Sequence, residues 1–185
     1  MWYSPRSPRT RCGPRALAPV LLGLLTLPAC QDEAPTAPQQ PLDPSFTMGS
    51  GVTGTPLGQA TFDFRKVKRI TGRWHVEVKA TDGLDMAVRM FSYEPGAQTG
   101  WHRHPGPVFI QVVSGEVTFY EENDPTCTGT VVRAGESYLD VGEHAHIGRN
   151  ESGAFAQDLV VLIGPPGLPP ADFRIDAPDP GHCPF

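Results

Sequence analysis

The feature that most constrains this chain is a succession of short strand-like runs that begins after Phe62. The runs are rich in valine, isoleucine and aromatic residues, and Gly, Pro, Asp and Asn fall between them. They read RWHVEVK, MAVRMFSYE, PVFIQVVS, EVTFYEE, TVVRA, SYLDV and FAQDLVVLIG. Ser114-Gly115-Glu116 is a hairpin-turn signal between two of them. Many short antiparallel strands predict an all-β sandwich or barrel, because double layering or closure hides the sheet edges.

The first thirty residues read as a targeting segment. Four arginines precede an apolar run, 16–27, that is too short to cross a bilayer as a mature helix. The run ends in LPAC, which resembles the lipobox of bacterial lipoproteins and implies cleavage and acylation at Cys30. We therefore predict a lipoprotein-type signal peptide over 1–29. The alternative is a plain secretory signal, which would give a soluble periplasmic or secreted protein.

The remaining chain divides by composition. Residues 30–56 are Pro- and Gly-rich and poor in aromatics, which predicts a disordered, flexible linker. Residues 57–164 carry the strand runs and are expected to form a single barrel. Residues 165–185 are Pro-rich again and are expected to be a tail, packed on the barrel or tethered to it.

Charge narrows the classes of partner. Removal of residues 1–29 would leave 11 basic against 20 acidic residues, a formal charge of −9. Such an acidic chain argues against nucleic-acid binding. The expected partners are instead a small-molecule ligand and a membrane, the latter reached through the acylated cysteine.

Two cysteines remain for structure once Cys12 is removed with the signal and Cys30 carries lipid. Cys127 and Cys183 are an even pair in an oxidising compartment, which favours a disulfide between them. The alternative is a soft metal site built from these two thiols and His182. It is the weaker hypothesis, because the chain has no paired C-x-x-C motif.

Four of the six histidines lie in two H-x-H pairs, His102 with His104 and His144 with His146. Side chains at i and i+2 of a strand point to the same face, so each pair can project into a barrel. Paired imidazoles on two strands are typical of a metal site.

These histidines also carry a resemblance to a known family. The segment from Gly96 to Gly115, with H-x-H and a strand that ends in glycine, resembles the first signature of the cupins. The segment from Gly135 to Asn150, with a histidine followed four residues later by asparagine, resembles the second. The resemblance implies a cupin-type jelly-roll barrel with a metal in its mouth, held by three histidines: His102, His104 and His146.

The chain departs from the family pattern at Val108, where the cupins usually have a glutamate ligand. Three neutral imidazoles still suit a divalent first-row ion such as Fe, Zn, Mn, Ni or Cu. Without the carboxylate the site keeps the full +2 charge of the ion, which favours anionic ligands. Glu143 or His144 is a candidate additional ligand. The alternative is a metal-free barrel whose histidines only line the cavity.

The sequence thus predicts an envelope-anchored cupin that binds a divalent metal and a small molecule. A second hypothesis is an Fe(II)-dependent three-histidine dioxygenase, and a third is a metal-free ligand-binding cupin. Whether the protein is an enzyme stays open, and no catalytic residue is assigned. Cupins often pair through sheet edges, so a homodimer is an expectation of the resemblance.

Overall fold

A computed structural model describes residues 49–185, in which the chain forms twelve strands and one short 3-10 helix. The predictions for the signal peptide, for lipidation at Cys30 and for most of the linker lie outside these residues. No helix within 49–185 has the length and apolar character needed to cross a membrane.

Seven of the twelve strands follow the predicted runs closely. The bounds of all twelve are β1 Ser50–Phe62, β2 Lys66–Thr71, β3 Trp74–Lys79, β4 Leu84–Gln98, β5 His102–Arg103, β6 Val108–Ser114, β7 Glu116–Glu121, β8 Thr130–Arg133, β9 Ser137–Asp140, β10 His146–Arg149, β11 Ala156–Gly164 and β12 Ile175–Asp176; the 3-10 helix spans Pro170–Phe173. The strands that lie outside the predicted runs are β1, β2, β5, β10 and β12.

Ten strands form one antiparallel, nearly closed barrel. The main path runs β12-β5-β10-β4-β11-β6-β9, with β7 joining β10 to β8 and β1 paired to β4. β2 and β3 form a separate two-stranded hairpin. The predicted all-β jelly-roll barrel is confirmed.

Side chains of β6 and β11 alternate between the barrel interior and its outer surface. β11 alternates buried and half-buried residues along its whole length, and β6 alternates buried and exposed ones. Alternate residues of a strand face opposite sides of the sheet, so these strands present Val108, Ile110, Val160 and Leu162 to the core. This core holds the strands on which the histidines are mounted.

The carboxy-terminal tail packs against the barrel. Trp101, Ala145, Ile147 and Ala177 form a second buried cluster, against which Cys183 also packs. A disulfide joins Cys127 to Cys183, with Cα atoms 5.4 Å apart, so the predicted pairing is present and the soft metal site is excluded. β12 adds a short strand beside β5. The tail is therefore both packed and tethered.

The beginning of the barrel differs from the predicted linker boundary. β1 begins at Ser50, so residues 50–56 are strand although they were expected to be linker. Their Ser, Gly, Thr and Pro content hid the strand, and only Val52 of the whole strand is even half-buried. β1 is held by its ladder with β4, and main-chain hydrogen bonds place few demands on side chains.

Candidate metal centre

Adjacent strands bring the three predicted histidines together. His102 in β5 lies directly opposite His146 in β10, and His104 follows β5 immediately. The ring centroids are 4.5 to 5.3 Å apart. One ring nitrogen of each histidine lies within 4.8 Å of the others. Arg103, between His102 and His104, is exposed, as strand alternation predicts.

Main-chain carbonyls fix the tautomer of two of these rings. Nδ1 of His102 lies 2.8 Å from the carbonyl oxygen of Gly100, and Nδ1 of His104 lies 2.5 Å from that of Phe173. A carbonyl oxygen can only accept, so each Nδ1 carries the proton and each Nε2 keeps its lone pair. This second hydrogen bond is the one that metal-ligating histidines usually make.

A buried carboxylate faces the third ring. Oδ2 of Asp140 lies 3.4 Å from Nδ1 of His146, and both side chains are 3% exposed. Neither atom reaches another hydrogen-bond partner among the described residues, so each is the natural partner of the other. Oδ1 of Asp140 accepts a hydrogen bond from the amide of Gly142. The carboxylate is thereby held in place beside the ring.

Burial keeps two of the imidazoles neutral. It lowers the pKa of His102 well below the usual value, and the nearby charges of His146 and Arg174 lower it further. Burial and the charge of His146 lower the pKa of His104 to about 4. Burial alone would raise the pKa of Asp140, but the interaction with His146 outweighs it and holds the pKa below the usual value. Metal-binding lone pairs are therefore available at neutral pH.

The histidines line a cavity of about 100 Å³ in the barrel interior. Its walls are mostly apolar, and Val108 is among them with no exposed surface. The apolar lining consists of Phe91, Val108, Ile110, Phe119, Val160, Leu162 and Phe173. The space suits a small molecule with an apolar body.

Two arginines supply positive charge at the same cavity. Arg89 on β4 is half-buried and donates to the carbonyl oxygen of Pro170. Arg174, from the tail, pairs with Asp176 at 2.6 Å. Its charge is one of the causes that lower the pKa values of His102 and His104, so it acts on the histidine cluster.

The additional ligands expected from the sequence do not join the cluster. Glu143 and His144 are exposed, and the metal-competent group found among the described residues contains only the other three histidines. β9 ends at Asp140 and β10 begins at His146, with bends between them. Because the segment is not extended, the i, i+2 spacing does not put His144 on the face of His146.

Sequence reasoning missed the groups that support the histidines. Asp140 lies six residues before His146 in the second signature, at the end of a strand. An acidic residue at this position was the one sequence feature that could have indicated a partner for His146. Phe173 and Arg174 belong to the Pro-rich tail and carry no sequence signal for the site. Only the packing of the tail on the barrel places them there.

A second buried acid lies within the barrel. Asp158 on β11 is fully buried, and burial raises its pKa to about 7. Its Oδ2 accepts a hydrogen bond of 3.0 Å from the hydroxyl of Tyr93, which lines the cavity. Its Oδ1 has no hydrogen-bond partner in the part of the chain described.

A nearly closed antiparallel barrel with three convergent interior imidazoles defines the class: a small β-barrel protein with a candidate metal centre. Residues 89–162 match the family described as the cupin domain. This part of the chain, about two fifths of its length, is therefore similar to a cupin domain. No curated protein matches the sequence.

Solved structures share low similarity with the chain. One is an uncharacterised conserved protein with a double-stranded beta-helix domain from Klebsiella pneumoniae, at 20% identity and a TM-score of 0.42; the match covers 51% of this chain and 76% of that one. A conserved protein of unknown function from Streptococcus pyogenes matches at 20% identity and 0.38, over 43% and 65%. An oxalate oxidase in complex with the substrate analogue glycolate matches at 25% identity and 0.36, over 41% and 40%. The chain thus spans less than two thirds of the last two proteins.

Proposed function

We propose that this protein is an envelope-anchored cupin that binds a divalent first-row metal ion through His102, His104 and His146 and a small anionic molecule beside it. The observation that carries the proposal is the arrangement of the three buried rings. Two have Nδ1 occupied by a carbonyl oxygen, and the third faces a buried carboxylate. Such rings present Nε2 to a shared centre.

The donor set fits a metal of this kind. Imidazole nitrogens suit Zn, Fe, Ni and Cu, and three of them leave coordination positions for water or a ligand. The buried contact between Asp140 and His146 supports the fit, because ionised Asp140 accepts the proton that His146 carries when its other nitrogen binds metal. The residues that would hold the ion are therefore all present.

The charge at the site favours an anionic ligand. Val108 is buried on the cavity wall where the family pattern has a carboxylate, so no donor there offsets the charge of the ion. Arg89 adds a positive charge at the same cavity, and Arg174 adds a second one that its ion pair with Asp176 partly offsets. A small carboxylate with a short apolar body would match both the charge and the lining.

A bound ion would supply Lewis-acid polarisation of a ligand oxygen. The chain itself does the rest. Phe119 and Val160 exclude water from the cavity wall, and the two arginines orient the anionic group of the ligand. Exclusion of water strengthens these charge interactions.

Metal analysis of the purified protein tests the proposal. We expect about one first-row ion per chain, and its loss in the double variant His102→Ala/His146→Ala. The matched control is His75→Ala/His144→Ala, which removes two exposed histidines and should keep the ion. Absence of metal from the wild-type protein above pH ~6.5, where imidazole is neutral, would contradict the proposal and favour the metal-free ligand-binding cupin.

The dioxygenase hypothesis makes a separate prediction. Three histidines with open positions are compatible with Fe(II) and oxygen chemistry that needs no protein base. The iron-loaded protein would then consume oxygen in the presence of a chelating substrate such as a thiol or a diketone. If the protein binds metal but consumes no oxygen with such substrates, the result favours the ligand-binding function over the dioxygenase.

The proposed location depends on the sequence pattern at Cys30. Its support from the fold is the disulfide between Cys127 and Cys183, since such bonds persist in oxidising compartments. Cys30→Ser should move the protein from the membrane fraction to the soluble fraction. If the substituted protein still sediments with membranes, acylation at Cys30 does not anchor it.

A further inference from the structure

A second cavity of about 240 Å³ lies beside the metal cavity, and we call it the outer pocket. β1 contributes Val52 and Gly54 to its lining, and the carboxy-terminal tail contributes Asp176. Three further residues line both the outer pocket and the metal cavity: Phe91, Thr99 and Arg174. The two spaces therefore share a wall.

The apolar part of this wall depends on a glycine. Gly54 lies directly opposite Phe91 in the ladder between β1 and β4. A Cβ at position 54 would lie 2.6 Å from Cε1 of the Phe91 ring, so any side chain there would force the ring to move. Gly54 therefore lets the Phe91 ring take its place between the two spaces. The ring has no hydrogen-bonding group, so it can turn aside without losing a hydrogen bond.

The charged part of the wall is Arg174. Its Nε lies 2.6 Å from Oδ1 of Asp176, and the two side chains are 33% and 44% exposed. An ion pair this exposed contributes little to stability, so another carboxylate can replace Asp176 at small cost. The charge of Arg174 also lowers the pKa of His102, so the guanidinium acts on the metal cavity from the shared wall.

We propose that the outer pocket is the entrance through which the anionic ligand reaches the three histidines, and that Arg174 receives the ligand there by exchanging Asp176 for the ligand's carboxylate. The inference rests on the proposed function, which supplies the class of ligand. Positive charge at the entrance attracts anions and raises their rate of association. The ligand then passes the Phe91 ring into the metal cavity.

Stopped-flow binding of propionate to the Co(II)-loaded protein tests the entrance, with the visible absorption of the metal as the signal. Every protein compared is full-length and carries Cys30→Ser, so that no lipid is present. Val52→Trp places an indole ring in the outer pocket. Because an obstructed route hinders entry and exit alike, association and dissociation should both slow about 10-fold, with Kd within about twofold of the parent value. The matched control is Thr53→Trp, whose side chain lies on the opposite face of β1 and should change neither rate.

Asp176→Asn tests the exchange at Arg174. Loss of the competing carboxylate should speed propionate association about 3- to 10-fold and lower Kd, whereas Arg174→Gln should slow association and raise Kd about 10-fold. The matched control is Glu151→Gln. Glu151 pairs with Arg149 over the same two-residue spacing, at 2.9 Å, and neither residue lines the two spaces. This variant removes the same charge and should bind propionate as the parent protein does.

Melting curves and the cobalt content of each variant show whether the barrel and the histidine cluster are intact. If Val52→Trp does not fold, Val52→Phe takes its place with a smaller ring. A parent protein that binds no cobalt or no propionate contradicts the proposed function and the entrance with it. If the parent binds both, unchanged rates in the folded position-52 variant overturn the entrance alone. Association in Asp176→Asn no faster than in Glu151→Gln overturns the exchange at Arg174.

Discussion

At the scale of single residues, the group that contacts Nδ1 of each imidazole determines whether Nε2 of that ring is free to bind a metal ion. Gly100 and Phe173 supply carbonyl oxygens to His102 and His104, and Asp140 faces His146. His102 and His104 were predictable from their spacing, whereas the choice of His146 over His144 came from the resemblance to the second cupin signature. The partners of these rings were not predictable, because a main-chain carbonyl has no sequence signature and Phe173 comes from a distant segment.

Asp140→Asn should weaken metal binding about 10- to 100-fold, because an amide cannot stabilise the polarised His146 ring as a carboxylate does. Competition with a chelator measures the affinity. Asp158→Asn is the control, since it removes another buried carboxylate that does not touch the histidines. Equal affinities for Asp140→Asn and wild type would show that Asp140 has no positioning role.

Asp158 should make stability fall with rising pH. Its pKa is about 7 in the folded protein, whereas an unfolded aspartate titrates near ~3.9. Below pH ~4 both states are protonated and the neutral side chain costs nothing extra. Between pH ~4 and ~7 only the unfolded state ionises, so the free energy of unfolding falls, and above ~7 the loss is complete.

Asp158→Asn should remove this loss. From pH 4 to 8 the free energy of unfolding should shift in favour of the variant by up to about 4 kcal/mol, the equivalent of three pKa units. Urea denaturation at several pH values measures the shift. His102 and His104 titrate in both proteins, so their contribution cancels in the difference. A constant difference across this range would contradict the raised pKa.

At the scale of elements, the strands were predicted well where one face is buried. β6 and β11 alternate because each packs one face on the core. β1 was missed because both of its faces are largely exposed and its pairing to β4 uses the main chain. Asn150, the asparagine of the second cupin signature, has a structural role. Its side-chain amide donates to the carbonyl oxygens of Tyr93, Glu94 and Ala154 and so holds the loop after β10 in place.

Gly142 in the turn between β9 and β10 should tolerate no side chain. Its φ is +84°, and a Cβ there would lie 2.7 Å from the carbonyl oxygen of Gly106 and 3.1 Å from that of His104. Gly135 has a similar φ of +89° with open space around it. Gly135→Ala should cost about 1–2 kcal/mol of stability from backbone strain alone.

Gly142→Ala should cost at least ~1 kcal/mol more than Gly135→Ala, because the added methyl group also forces the two backbone segments apart. Urea denaturation of the two variants gives the difference. Because the displaced segment follows His104, the metal affinity of Gly142→Ala should fall as well. Equal costs at the two glycines would mean that the turn yields without strain.

At the scale of the whole molecule, the tail completes both the fold and the site. The disulfide between Cys127 and Cys183 closes a separation of 56 residues, and Phe173 is fully buried. A reductant should therefore lower the free energy of unfolding by about 2–4 kcal/mol. Thermal unfolding with and without reductant measures this loss.

The variant Cys127→Ser/Cys183→Ser is the control for the effect of the reductant. It should match the reduced wild-type protein and should not respond to reductant. Because Arg174 and the carbonyl of Phe173 reach the site from the same tail, the anion affinity of the metal-loaded variant should also fall. If reduction leaves the free energy of unfolding unchanged, packing alone holds the tail on the barrel and the disulfide adds no stability.

The sequence by itself determined the all-β barrel, the disulfide pair and the three histidines. Alternation, turn residues and i, i+2 spacing are local properties that any strand of this composition must express. Tertiary structure alone decided that Asp140 faces His146, that Arg174 and Phe173 complete the cavity, and that Glu143 and His144 stay outside it. These placements depend on loop bends and on contacts between distant segments, which short-range patterns do not encode.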